Sequence, residues 1–304
     1  MVSLVVRRLL WSVPVLLVVA TLTFGVMHAV PGGPFDKEKK LPPRIKANVE
    51  AKYHLDEPLW RQYLLYLGGL SRGDLGPSYK YLGRTVNDVI AETLPVSAEL
   101  GALAFLFAAG LGIGFGFLAA VKGGAIDRTN ILLATIGISV PSFVLGALLV
   151  LVFSHLFHLL PPALWEDPRH AILPALSLGL APAAYIARLT RSAVLEVLGR
   201  EYIRTARAKG ISEGVILWRH LLPNALTPVV TILGPLTAGL LTGSLVVEYI
   251  FSIPGMGKFY ITAATNRDYP LIIGVTLVYA ILIVAANLAV DVINAYLDPR
   301  IRLE

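Results

Sequence analysis

The 304-residue sequence contains no cysteine, which excludes disulfides, thiolate metal sites and cysteine nucleophiles. Charge is scarce too: 15% of residues are charged, against about a quarter in soluble domains. H-E-x-x-H does not occur, so the zinc-peptidase signature is missing and no enzymatic role is expected. Hydrophobic residues take the place of all these, at 56% of the chain and a mean hydropathy of +0.70. They come in blocks near the length that crosses a bilayer as a helix. The expected fold class is an all-α polytopic membrane protein, forming one transmembrane domain over residues 1–304.

Six apolar segments stand out, at residues 9–30, 94–121, 131–160, 171–187, 226–251 and 271–297. The fourth is the shortest and holds Pro174 and Pro182, so the pronounced helix break is expected there. Arg7 and Arg8 precede the first segment as in a signal peptide. Its apolar run is too long, and no small-x-small site follows, so it reads as a retained helix.

The net charge of +6 fits nucleic acid poorly and a membrane topology well. With the N-terminus inside, the inner pieces hold thirteen Lys and Arg and the two short outer loops hold three, Arg169, Lys258 and Arg267. Short-loop bias of this kind sets orientation, so both termini are expected to be cytoplasmic. The long loop at 31–93 carries ten basic and eight acidic residues and votes weakly. Its apolar and aromatic residues at helical spacing (Tyr53, Leu59, Trp60, Tyr63, Leu64, Leu67) suggest short helices on the outer face. They would dock an external partner, cap the bundle, or both.

Small residues mark expected helix contacts at Gly110-x3-Gly114, Gly112-x3-Gly116 and Gly239-x3-Gly243. The run GIGFG at 112–116 is no dinucleotide fingerprint, because Phe117 stands where the third glycine belongs. Gly257-Lys258 is no phosphate loop either: Ser252 and Phe259 occupy the positions of its first glycine and its hydroxyl residue. His155 and His158 lack a third ligand nearby and read as interfacial polar residues rather than a metal site. Ionisable residues in or beside apolar segments are Glu99, Glu248 and Asp291. Glu248 and the face shared by Asn287 and Asp291 are the candidates for a substrate path or its gate. Their plainer readings are an ion pair of Glu248 with Lys258 or Arg267, and inter-helix hydrogen bonding by Asn287 and Asp291.

One stretch is basic and helix-forming between two apolar blocks, RTARAKGISEGVILWRHLLP at 204–223. Good helix formers fill 201–209, Gly210 interrupts them, and a second short helix is expected from Ser212, as its cap, to Leu222. Pro223 would then break the chain. One face is basic; the other shows Ile203, Ala206, Ile211, Val215 and Leu222. Membrane segments on both sides leave no room for a DNA duplex. A mere charged loop would need neither the helix formers nor the glycine. A helix seated in a groove of a cytoplasmic partner uses every feature.

This stretch resembles the pattern E-A-A-x3-G-x9-I-x-L-P of importer-type permease subunits of ATP-binding-cassette transporters. Here it reads Arg204-Thr205-Ala206, then Arg207, Ala208, Lys209, Gly210 and Ile211, then His220-Leu221-Leu222-Pro223. Arg204 and Thr205 replace E-A and His220 replaces I, and RTARAKG is how the peptide branch of the family writes it. RRLLWSVPVLL, PGGPF, LPPRIKANVEAKYHLDEP, GDLGPSYKY, SVPSF, EYIFSIPGMG, NRDYP and LDPRIR extend the resemblance along the chain, nearest to the B-type permeases of oligopeptide importers. The resemblance implies a six-helix permease of the type I importer fold in a bacterial inner membrane. It implies a homologous second permease, two cytoplasmic ATPases and an external peptide-binding protein as partners. ATP and Mg would act on the ATPases, with no cofactor in this chain. Residues 200–223 would form the coupling segment. Related systems carry dipeptides, nickel complexes or glutathione through the same architecture. A stand-alone secondary transporter or channel is the rival of another class. It would favour midplane charges and paired broken helices, of which the sequence offers little.

Overall fold

The computed structural model describes residues 2–29, 54–81, 83–241 and 245–297. The PGGPF turn, residues 31–53 of the long loop, Gly243 and all but the first residue of LDPRIR lie outside them. The described residues are helical apart from turns and one isolated bridge between Pro77 and Thr85. The helices are α1 (Val2–Ala29), α2 (Leu59–Leu70), α3 (Val86–Lys122), α4 (Gly124–Ser139), α5 (Ser142–Leu149), α6 (Ile172–Leu198), α7 (Glu201–Ala208), α8 (Leu222–Leu241), α9 (Leu245–Ile250), α10 (Met256–Asn266) and α11 (Tyr269–Leu297). Among these residues five helices are long and apolar enough to cross a membrane, or six if a sharply bent pair counts as one span.

The segment at 94–121 begins earlier than its apolar run. Thr85 and Asp88 form a capping box, so α3 starts at Val86, inside the stretch read as loop. Its 37 residues make it about 56 Å long, so it projects beyond a hydrocarbon layer of about 30 Å. It ends at Gly123, whose φ of 62° suits glycine.

The pronounced break falls in the third segment, not the fourth. Gly124–Ser139 and Ser142–Leu156 meet at 108°. The cause is Val140-Pro141: proline disfavours the α conformation of the residue before it, and Val140 is extended at φ −94°, ψ 125°. The fourth segment, shortest in the sequence, is instead a continuous helix of 27 residues. Pro174 lies in its first turn, where a missing N–H costs nothing. Pro182 lies among small residues and is tolerated because neighbouring helices support the freed carbonyl.

One of the three expected small-residue contacts, Gly112-x3-Gly116, is where α3 and α6 meet. A methyl on Gly112 would stand 2.6 Å from Ile186 Cβ, and one on Gly116 would stand 2.8 Å from Thr190 Cβ. From the other side, a methyl on Gly179 would stand 2.7 Å from the Ala104 carbonyl oxygen. The backbones therefore approach as closely as only glycine allows. Gly110, Gly114 and Gly239 face open space and make no such contact within the described residues.

The bundle has two ends. At one, α2 lies over the last turns of α1: Thr21 and Tyr63 share a hydrogen bond of 2.6 Å, and Phe24 stacks near Tyr63 and Tyr66. α2 is a short helix within the long loop, where short helices were expected. At the other end a small core forms around Val194, Ile203, Ile216, Leu221 and Ala225 and holds α7.

Candidate functional site

The basic stretch folds as one short helix, a turn, and the start of a long one. Ile203 and Ala206 of α7 are buried against Val194, Ile216, Leu221 and Ala225, so the helix is anchored by one face. Tyr202, Arg204, Thr205, Arg207 and Ala208 on its other faces are exposed, as are Lys209 and Gly210 after it. The helix ends in a Schellman motif. Gly210 N donates to Arg207 O at 2.9 Å and Ile211 N to Ala206 O at 3.2 Å, with Gly210 at φ 74°. The glycine was expected from its position; the motif supplies its physical reason.

Three details differ from expectation. Ser212 stands at the helix start but makes no side-chain cap bond. Val215 is exposed, and the buried face is completed by Ile216 and Leu221 instead. Pro223 does not break the chain, which stays helical from Glu213 through Leu241. Residues Ile216–Leu221 form a π-helical turn in which Leu222 N donates to Leu217 O. This wider turn changes the hydrogen-bond register ahead of Pro223 and accommodates the missing N–H. The fifth candidate span accordingly runs Glu213–Thr237, earlier than the apolar run suggested, and Leu245–Ile250 is a separate helix.

Charge is also arranged differently. Arg207 forms a two-pronged pair with Glu213, Nε to Oε1 at 2.7 Å and Nη2 to Oε2 at 3.2 Å. The pair bridges the Gly210 turn. The Glu213 hydrogen bonds and charge raise the Arg207 guanidinium further above its already high pKa, so the clamp stays ionised at physiological pH. Arg204 and Lys209 are left facing outward. Nearby, Arg191 of α6 grips Asp127 of α4 through Nε to Oδ1 and through Nη2 to Oδ2 at 2.6 Å. Sixty-four residues separate the pair and no sequence spacing announces it. Trp218, 73% exposed, stands in the π-helical turn, where an interfacial tryptophan fits. Sequence reading passed over it.

At the opposite end the motif EYIFSIPGMG closes on itself. Glu248 is fully buried. Its Oε2 accepts from Gly257 N at 2.7 Å, and its Oε1 has no hydrogen-bond partner among the described residues. Ser97 of α3 takes the neighbouring Met256 N at 2.9 Å. The carboxylate thus binds a backbone amide rather than the expected side chains of Lys258 or Arg267. Gly255 is required by this arrangement, since a methyl there would stand 2.6 Å from Ser97 Oγ and collide with Glu248 Oε2. Two further quoted stretches meet beside it. Asp268 of NRDYP is fully buried and accepts from Ser78 Oγ, from Tyr79 N at 3.1 Å and from Lys80 N at 3.3 Å, all in GDLGPSYKY. Asp268 was not singled out from sequence, although Asp before Tyr-Pro at a helix start is a capping signal.

The remaining path candidates separate. Asp291 pairs with Arg8 of α1 at 2.8 Å. Asn287 and Glu99 are exposed. Among the described residues no group of three or more His, Cys, Asp or Glu is placed to hold a metal.

Comparison with known proteins gives a consistent picture. The family described as "Binding-protein-dependent transport system inner membrane component" matches residues 112–303, and its N-terminal counterpart matches residues 1–100. The chain is 44% identical to "Oligopeptide transport system permease protein OppB" of Haemophilus influenzae and of Escherichia coli, covering 99% of this chain and 100% of each relative. It is equally 44% identical to "Dipeptide transport system permease protein DppB" of Bacillus subtilis, over 98% of this chain and 97% of that one. The fold is shared with a chain of the inward-facing MetNI methionine ABC transporter, at TM-score 0.54 and 20% identity over 69% of this chain and 96% of that one. It is also shared with an amino acid ABC transporter chain, at TM-score 0.56 and 16% identity over 69% and 94%.

Proposed function

The chain belongs to the family of binding-protein-dependent transport system inner membrane components, and from that premise we propose how it works. It is a membrane permease subunit of an ATP-binding-cassette importer. Its cargo is oligopeptides, as the names of the relatives at 44% identity suggest. Dipeptides are the second reading, favoured by the equally similar dipeptide permease.

In this proposal the chain pairs with a homologous second permease in a bacterial inner membrane. Two cytoplasmic ATPases and an external peptide-binding protein complete the assembly, and ATP and Mg act on the ATPases. Both termini and α7 face the cytoplasm. The observation that carries the coupling role is the construction of α7: one face anchored in the bundle, the other exposed and basic, its end fixed by a glycine cap and an ion-paired clamp. Such a helix fits a groove on a partner and passes on the partner's motion because it is not free to move alone. Arg204 and Lys209 meet acidic groups on the ATPase, Arg207 fixes the turn, and Thr205, Ala208 and Ile211 shape the contact. ATP does work by binding one arrangement of the assembly better than the other. At the far end Glu248 holds the gate turn closed. Asp291 ties α1 to α11, and Asn287 is left as the side chain available to the passage.

The test is purification through a tag on this chain in mild detergent, followed by reconstitution. The expected result is co-purification of two ATPases and a second six-helix permease, with ATP-dependent peptide uptake by the assembly alone. Uptake by this chain by itself would refute the proposal in favour of a secondary transporter.

A further inference from the structure

A groove of about 640 Å³ runs between α3, α4 and α6, within the membrane-length part of the bundle. Its walls are almost wholly apolar, with Leu111, Phe115 and Leu118 on one side and Ala183, Ala184 and Ala187 on another. Two polar side chains interrupt them, of which Thr129 donates its Oγ1 hydroxyl to Ala125 O at 2.9 Å. Asn130 of α4 lines the groove, is only 7% exposed, and its Nδ2 donates to nothing among the described residues. A buried amide donor without an acceptor is costly, so the site is incomplete as it stands. Toward the α7 end, Lys122 follows Leu111, Phe115 and Leu118 on the same face of α3 at helical spacing, exposed and without an ion pair among the described residues. Arg128 of α4 and Arg188 of α6, next to groove-lining residues, are exposed as well, and Arg191 is neutralised by Asp127.

We propose that the groove binds one phospholipid: its acyl chain along the apolar walls, a glycerol ester carbonyl on the Asn130 amide, and its phosphate at Lys122. The occupant follows from size and chemistry. The groove spans residues 125–137 of α4, about 18 Å of helix. An extended acyl chain lies along that length. Apolar walls alone select nothing in a bilayer, because lipid tails are as apolar as the walls. Selection must therefore come from the polar end, where an orphan donor and exposed cations, Lys122 among them, match an ester carbonyl and a phosphate. An anionic headgroup is preferred, since Lys122 has no carboxylate to neutralise it. The proposal goes beyond the transport reading and needs only that the bundle sits in a bilayer.

The test uses a photoreactive p-benzoylphenylalanine at Phe115, an aromatic-for-aromatic exchange in the groove wall, and a reference probe at Leu132, which is 60% exposed and does not line the groove. The complex as purified is placed in vesicles of equal phosphatidylglycerol and phosphatidylcholine, irradiated, and the mass of this chain is read. The expected product at Phe115 is an adduct of one phospholipid, enriched in phosphatidylglycerol relative to Leu132. Lys122→Ala should lower that enrichment about fivefold, the effect of one basic residue near anionic lipid. Equal lipid ratios at both probes mean bulk lipid only and overturn the site. Cross-linking of Phe115 to the second permease or to a transported peptide overturns it as well.

Discussion

Replacing Gly210 by valine separates anchoring from coupling. Gly210 sits at φ 74°, and a methyl added to it meets nothing within 4 Å. The cost is therefore backbone strain, about 1–2 kcal/mol for an L residue in the left-handed region, and more for a β-branched one. The anchor is stronger: Ile203 is fully buried, and removing such a side chain costs about 2–5 kcal/mol. The strain thus cannot undock α7. It is relieved by opening the turn, which loses the Ile211 to Ala206 bond and shifts Glu213 against Arg207. A penalty of one to two kcal/mol lowers the population of the native turn about 5–30-fold. The assay is peptide transported per ATP hydrolysed in vesicles holding the complete transporter. Gly210→Val should insert and assemble normally while that ratio falls. Gly210→Ala should fall less, and Gly210→Asn should stay near the parent, because asparagine tolerates this conformation. A valine variant with the parental ratio, or an asparagine variant as impaired as valine, would refute the reasoning.

Gly255→Ala pushes a methyl against Ser97 and Glu248; overpacking of about 1–3 kcal/mol should lower the melting temperature of the purified protein, and an unchanged value counts against the packing of the Glu248 turn. Asp268→Ala leaves the Tyr79 and Lys80 amides without their carboxylate and should cost at least about 2 kcal/mol, seen as faster proteolysis between residues 71 and 85. Asp268→Asn keeps an acceptor and should be milder. The Asp127–Arg191 pair is 21–23% exposed, so removing either partner should lower the melting temperature. A double-mutant cycle on melting temperature should show strong coupling, and simple additivity would mean the two do not interact.

The helices were legible because each apolar run is long, and the coupling segment because polar helix formers interrupt those runs at a glycine. The features that escaped have a common cause. The bend at Pro141, the continuity through Pro182 and the continuity through Pro223 all depend on what surrounds a proline, and the residue itself looks the same in each case. Asp127–Arg191 and Asp268–Ser78 join residues 64 and 190 positions apart, beyond any local periodicity. Arg207 counted as a free cation until the turn brought Glu213 to it. Glu248 was noticed for its charge, but its partner is a backbone amide, a group that every sequence has and none displays.

How motion at α7 reaches the far end depends on whether α3 and α6 slide or move as one. Close packing at Gly112, Gly116 and Gly179 leaves no room for even one methyl between them. Small residues on both sides mean that sliding by a fraction of a turn drives side chains of one helix into backbone of the other. Such interfaces are bistable or rigid, not continuously deformable. The pair is therefore the stiff element. α7 is fixed to it through Val194 at one end, and Ser97 fixes the Glu248 turn to it at the other. The bend at Val140-Pro141 and the turn at Gly210 lie outside this unit. A shift imposed on α7 must then appear at the Glu248 turn as a rigid displacement, with bending confined to those two places. A turn carried on a stiff helix pair would need no signal passed from residue to residue, and the glycines would serve it by preventing slippage.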